Sequence, residues 1–231
     1  MIIPDSQEVI TSCSRCGKKN RLLERAGNCI YRCGNCGANI KNPFLYLVFD
    51  CETTGLPSKN HIPHIVQLAW GVYESTGTAI EEQCYIIKAE GFTIPESSTK
   101  IHGISNEVSQ TYGFLLSDVL KLFLNSTKRH YVRLVAHNLD FDFKILKTEL
   151  ERKKINPLVL SKPKFCTMKS TVNVCKLPKR GGRGYKWPTL QELHSHLFGS
   201  YYSAAHNAMS DVRATSRCFF ELIKRKLIKF R

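Results

Sequence analysis

Val48-Phe49-Asp50-Cys51-Glu52-Thr53-Thr54-Gly55 decides how the rest of this chain is read. The apolar run Phe44-Leu45-Tyr46-Leu47-Val48-Phe49 leads into it and a Thr-Thr-Gly turn closes it. The run is short, β-branched and aromatic, which predicts a buried strand rather than a helix. Side chains two apart on a strand share a face, so Asp50 and Glu52 point the same way. Two carboxylates crowded at the end of an apolar strand repel each other and are costly to desolvate. A divalent cation removes that cost, and hard oxygen ligands suit Mg2+ or Mn2+. The same pair also suits a solvated strand end, and these eight residues do not decide between the two.

Downstream, residues 64–73 and 84–87 read as two more strands with turn signals at 74–77, which predicts an antiparallel meander. Ile101-His102-Gly103-Ile104 follows a polar loop. Helical spacing of Leu115, Leu116, Val119, Leu122 and Phe123 predicts a helix over 114–125. A strand over 131–136 precedes a helix from about 139 to 153. After Phe165-Cys166-Thr167-Met168 come a basic Gly-rich loop, a helix at 189–198 and a last helix from Ala208. Strands first, then strand–helix alternation, imply an α/β domain with a mixed sheet flanked by helices.

The 231 residues allow one large domain plus a small module, and the division predicted is 1–43 and 44–231. Cys13-Ser14-Arg15-Cys16-Gly17 and Cys33-Gly34-Asn35-Cys36-Gly37 are two CxxCG knuckles. Four thiolates in two pairs fit tetrahedral Zn2+, and a glycine after each knuckle permits the tight turn. The segment resembles a zinc ribbon, with a hairpin expected between Leu22-Leu23-Glu24-Arg25 and Cys29-Ile30-Tyr31-Arg32. Cys29 belongs to neither knuckle and is read as a bystander. So small a segment cannot build a core unaided, so zinc holds it together. Lys18, Lys19, Arg21, Arg25 and Arg32 are available for phosphates or for a protein partner. Residues 39–43 read as a linker ending at Pro43.

Net charge is +15, of which seven Lys and Arg against three Asp and Glu give +4 in residues 1–43 and the remainder +11. A polyanionic partner follows, nucleic acid ahead of membrane, since no apolar run reaches membrane-spanning length. Met1-Ile2-Ile3-Pro4-Asp5 carries no secretory signal, so a reducing intracellular compartment, cytoplasm or nucleus, is expected. There the ten cysteines serve as metal ligands and buried thiols rather than disulfides.

Two further clusters bear on chemistry. Ala136-His137-Asn138-Leu139-Asp140-Phe141-Asp142-Phe143 begins where a strand ends, the place where ligand groups gather in open α/β sheets. On a helix, Asp140 and Asp142 diverge by roughly 200°. Leu139, Phe143, Leu146 and Leu150 mark the buried stripe, and Asp142 lies closer to its centre, leaving Asp140 solvated. His206-Asn207-Ala208-Met209-Ser210-Asp211 opens the last helix. An acid in a first turn is also a routine capping choice, and a lone histidine there is also a routine structural residue.

F-D-C-E-T-T-G, H-N-L-D-F-D and H-N-A-M-S-D, in that order, resemble the three motifs of the DEDDh 3′–5′ exonucleases. That ribonuclease-H-like family includes the proofreading epsilon subunit of bacterial DNA polymerase III and ribonuclease T. The resemblance covers 44 to about 225 and not the zinc-ribbon segment. It implies that Asp50, Glu52, Asp142 and Asp211 hold two Mg2+ or Mn2+ ions and that His206 is the base. It also places Thr53, Thr54 and Leu56 against the terminal nucleotide, with Leu56 wedged on the last base, and His102 and Asn138 in the same cleft. Phosphoryl displacement asks for these residue types, and histidine titrates near neutrality. The layout is closer to proofreading-type members, so DNA leads over RNA, with a polymerase or a replication or repair complex as partner by analogy. An exoribonuclease and a non-catalytic binding module are the alternatives.

Lys176-Leu177-Pro178-Lys179-Arg180-Gly181-Gly182-Arg183-Gly184-Tyr185-Lys186-Trp187-Pro188 carries five cations, three glycines and two aromatics. Cations for a backbone and rings for stacking suit a single strand. A solvated surface loop is the plainer reading.

Overall fold

The computed structural model describes residues 2–3, 8–25, 30–59, 61–128, 131–156, 161–203 and 205–230. Strand β1 (Ile2–Ile3) runs parallel to β11 (Lys229–Phe230) from the far end of the chain. Each CxxCG knuckle is the turn of its own hairpin. β2 (Glu8–Ser12) and β3 (Lys19–Leu23) flank the first, and β4 (Tyr31–Arg32) and β5 (Asn39–Ile40) flank the second. Gly17 and Gly37 take φ of +72° and +67°, and their amides donate to the carbonyls of Cys13 and Cys33. The hairpin expected between 22–25 and 29–32 is therefore corrected: β3 pairs back onto β2 because the tight turn lies inside the knuckle. The expected linker at 39–43 opens with β5. Cys29 lies outside the described residues.

The main sheet has five strands. Its centre is β6 (Leu45–Thr53), antiparallel to β7 (Ile65–Glu74), which pairs with β8 (Ala79–Ile86). On the other side β9 (Val132–Ala136) runs parallel to β6, and β10 (Lys164–Cys166) parallel to β9. This is the expected mixed α/β sheet. Along β6, Leu47, Phe49 and Cys51 face a core shared with α3 (Leu116–Thr127) and α4 (Leu139–Arg152). Tyr46 and Val48 face the opposite core, shared with α7 (Leu190–Phe198) and α8 (Ala208–Lys224). Burial on both faces explains an unbroken apolar run instead of alternation.

Two details position the site. Pairing between β6 and β9 ends at Val48–Val135, whereas β6 continues beside β7 to Thr53. The last residues of β6 thus overhang β9, and α4 starts in the space so freed. The expected helix from residue 114 begins at Leu116, because Phe114 stays extended: its amide donates to the Ile86 carbonyl and its ring packs on Tyr85. The polar loop before Ile101 instead holds α1 (Glu96–His102), ended by Gly103 at φ +77°, and α2 (Asn106–Tyr112) follows, capped by Ser105. α5 (Thr167–Ser170) and α6 (Val172–Cys175) are single turns after β10. Among the described residues no helix is long and apolar enough to cross a membrane.

Candidate active site

The parity of β6 carries through its overhang. Asp50 and Glu52 continue the face of Tyr46 and Val48, toward α8, where Asp211 sits in the first turn. Asp142, in the first turn of α4, reaches the free edge of β6 instead. Its Oδ1 accepts from the Cys51 amide and from the Cys51 thiol, both at 3.1 Å, replacing the ladder bond that β9 no longer supplies. Asp211 accepts from the Tyr202 hydroxyl on Oδ1 and from the His206 amide on Oδ2 at 3.2 Å. Ligand atoms of Glu52, His206 and Asp211 lie within 4.8 Å of one another. Asp140 is exposed and ion-paired with Lys169, as a solvated residue should be.

Burial and mutual repulsion set the electrostatics. Burial, then Asp142, Asp211 and Glu52, push Asp50 well above the usual carboxylate range. Burial and Asp211 raise Glu52 to about 7. Burial raises Asp142 to about 7 despite the two Cys51 donors. Asp211 is raised by burial and partly relieved by Tyr202 and His206. Four acids whose ionisation is opposed in this way form a site a divalent cation fits, since the added positive charge offsets both penalties.

Two cavities flank the carboxylates. One of about 250 Å³ is lined by Glu52, Thr53, Gly55, Leu56, His102, Phe141 and His206 among others. Leu56 stands 81% exposed at its mouth, an apolar side chain left largely uncovered by the described residues. The other, about 340 Å³, is lined by Asp50, His137, Thr189, Gln191, Tyr202, His206 and Asp211 among others. His206 borders both, held at φ +64° just before α8. Thr54 and Asn138 line neither. Thr54 is exchanged into backbone pairing with His64, whose amide donates to its hydroxyl at 3.0 Å. Asn138 is exposed in the left-handed region at φ +64°, which asparagine tolerates and which turns β9 into α4.

A family model described as "Exonuclease" (RNase_T) matches residues 47–219, three quarters of the chain. The chain belongs to this exonuclease family. It is 28% identical over 185 residues to a PolC-type DNA polymerase III of Caldanaerobacter subterraneus subsp. tengcongensis, covering 78% of this chain and 12% of that protein. It is 27% identical over 183 residues to the 3′–5′ exonuclease DinG of Bacillus subtilis, covering 78% and 18%. The chain thus spans less than a fifth of either relative. Its fold matches E. coli exonuclease I in complex with a dT13 oligonucleotide, with TM-score 0.67 and 18% identity over 79% of this chain and 42% of that one.

The cysteine cluster lies outside the part of the exonuclease domain matched by the family. Sulfurs of Cys13, Cys16, Cys33 and Cys36 lie within 4.8 Å of one another, with Cys13–Cys36 and Cys16–Cys33 at 3.6 Å. A tetrahedron with zinc–sulfur bonds of ~2.3 Å has edges of about 3.8 Å, so the four thiols fit one zinc ion. Amides of Cys36 and Asn35 hold the Cys33 thiol down at about 6, toward the thiolate that zinc requires. This module packs at the start of β6, through Val9, Leu22, Tyr31, Ile40 and Phe44, and Tyr131 packs against the same cluster. From Phe44 to Asp50 is about 20 Å along the strand, so it sits far from the carboxylates.

Several neighbours of the site carry no sequence signal. Tyr202 and Gln191 lie in an irregular segment and in a helix chosen by its cap. Buried Gln67 hides in an apolar strand, where its Oε1 accepts the Ala208 amide at 3.0 Å and pins the start of α8. Only a polar residue interrupting an otherwise continuous apolar run could have pointed to it.

Proposed function

We propose that this exonuclease-family chain is a metal-dependent 3′–5′ exonuclease that releases nucleoside monophosphates from single-stranded or frayed DNA ends. The observation that carries this is the convergence of Asp50, Glu52, Asp142 and Asp211 beside His206, at the meeting of two cavities, one rimmed by exposed Leu56. Two Mg2+ or Mn2+ ions held by the four carboxylates supply charge neutralisation and Lewis acidity at the scissile phosphate. His206 takes the proton of the attacking water; its position between the cavities lets it reach a phosphate lodged there. Leu56 packs on the terminal base, and Thr53 and His102 line the same pocket. Thr54 acts through the turn it fixes, and Asn138 through the strand-to-helix bend.

DNA is favoured over RNA by the DNA polymerase relatives and by the oligonucleotide in the exonuclease I complex. Those relatives also suggest a replication or repair complex as partner. Residues 1–43 serve as a structural zinc ribbon and 44–231 as the nuclease domain. Four reduced thiolates suit a reducing intracellular compartment.

End-labelled single- and double-stranded DNA and RNA, incubated with Mg2+ or with chelator, test this. Stepwise Mg2+-dependent loss from the 3′ end of DNA is expected, abolished by Asp50→Ala. Wild-type turnover in Asp50→Ala overturns the site assignment, faster loss of RNA overturns the substrate, and no loss on any strand favours a binding module.

A further inference from the structure

Residues between α6 and α7 form a built arm rather than an open loop. Pro178 and Tyr185 pair as an antiparallel bridge, the Lys186 amide donates to Leu177 at 2.8 Å, and that of Lys179 to Gly184 at 3.2 Å. Gly181, Gly182 and Gly184 all have positive φ, which lets the chain reverse at the tip. The root is fixed at the catalytic cleft. His137 donates from Nε2 to the Pro188 carbonyl at 3.0 Å, and burial holds His137 down at about 4, hence neutral. Lys186 pairs with Glu192, and Thr189 caps α7 through a capping box. Thr189, Leu190 and Gln191, directly after the arm, line the 340 Å³ cavity with Asp50 and Asp211.

What the arm exposes is unusual for a structural hairpin. Trp187 is 61% and Tyr185 41% exposed. Lys179, Arg180 and Arg183 have no carboxylate within 4 Å among the described residues. Rings left in water beside uncompensated cations match the two needs of a single strand, stacking for bases and charge for phosphates.

We propose that this arm grips the strand behind the nucleotide being removed. Tyr185 and Trp187 stack on unpaired bases, and Lys179, Arg180 and Arg183 neutralise their phosphates. This rests on the exonuclease reading above and adds to it: the arm sets affinity for the strand and selects single-stranded over duplex ends, because paired bases offer no free face.

The test measures binding of fluorescein-labelled dT20 in Ca2+ as a function of salt, and cleavage of dT20 and of thymidine 5′-monophosphate p-nitrophenyl ester in Mg2+. The triple variant Lys179→Ala, Arg180→Ala, Arg183→Ala should lower the slope of log K against log salt by about 2, at ~0.7 per phosphate contact on a single strand. Trp187→Ala should weaken dT20 binding roughly tenfold, with Trp187→Phe recovering most of it. Loss of kcat/KM should be at least about fivefold greater on dT20 than on the one-nucleotide ester, too short to reach the arm. An unchanged salt slope, or equal losses on both substrates, overturns the proposal. Failure of the wild type to cleave either substrate defeats the exonuclease reading instead, and the binding measurement still decides the arm.

Discussion

Asp142 shows how burial and neighbouring charge oppose the ionisation of one side chain. The residue is 2% exposed, and its carboxylate faces Glu52 and Asp50 and rests on two Cys51 donors that soften the repulsion without cancelling it. Asp50, Glu52 and Asp142 all bind protons more tightly in the folded, metal-free protein than in an unfolded chain, where such acids titrate near 4. Between about pH 4 and 7 the folded state therefore holds the extra protons, and stability from this site falls as pH rises through that window. Mg2+ should reverse the loss, so its stabilising shift in Tm should be small at pH 5 and large at pH 7.5. Asp142→Asn should melt higher than wild type at pH 7.5 in chelator, yet lose about a thousandfold or more in turnover with Mg2+. Thermal melts at the two pH values check this; a Mg2+ shift that is the same at both would sink it. The choice of Asp142 over Asp140 was legible in the sequence, because helical geometry turns one toward the buried stripe and the other away. Tyr202 was not legible, since nothing local to it marks a tyrosine whose partner is fixed only by the tertiary fold.

Elements place these residues through two devices, and only one of them is written locally. The strand β6 is legible from its apolar run, and its i, i+2 acids from the strand period. The overhang beyond β9 is not, because strand register depends on β9 being short, a property of another segment. Helices α1 and α2 escaped for a related reason: each has seven residues and a single buried serine, so hydrophobic periodicity is absent and only caps at Gly103 and Ser105 mark them. Helix α8, by contrast, shows its apolar face plainly and is capped by the Asn207 side chain, yet its first amide is held by Gln67 in β7. Gln67→Met keeps the volume and removes the acceptor of the buried Ala208 amide. Leaving that donor unpaired should cost about 1–3 kcal/mol and loosen the turn that carries Asp211. Urea unfolding should register the loss, and Mg2+ affinity should fall with it. Wild-type stability and Mg2+ affinity together would show that the apolar face and the Asn207 cap hold α8 without Gln67.

At the scale of the whole molecule, the cysteine module and the main sheet share an interior. Arg133, on β9, is wholly buried, and its Nε and Nη2 donate to Glu24 at 2.9 and 2.6 Å. Glu24, equally buried, follows β3 and so belongs to the part of the chain that carries the four cysteines. Sequence reading divides the chain near residue 43 from composition and a proline, and it has no means of seeing an ion pair between residues 109 apart. On the proposed function, zinc held by the four cysteines should therefore support the sheet that positions the carboxylates at the other end. Glu24→Ala should cost about 3–5 kcal/mol, because it removes the carboxylate that pairs a buried guanidinium, and for a chain of this size that lowers Tm by roughly 10 °C. Zinc removal by a thiol-selective chelator, with Mg2+ kept in excess, should shift the same single transition rather than melt a separate module. The double variant Glu24→Leu, Arg133→Met removes both charges, and apolar replacement of a buried pair is often neutral or stabilising. It should therefore melt near wild type while depending less on zinc, which separates the ion pair from zinc as sources of stability. A nuclease transition that ignores zinc in the wild type would show instead that the two parts are joined by the chain and not by their packing.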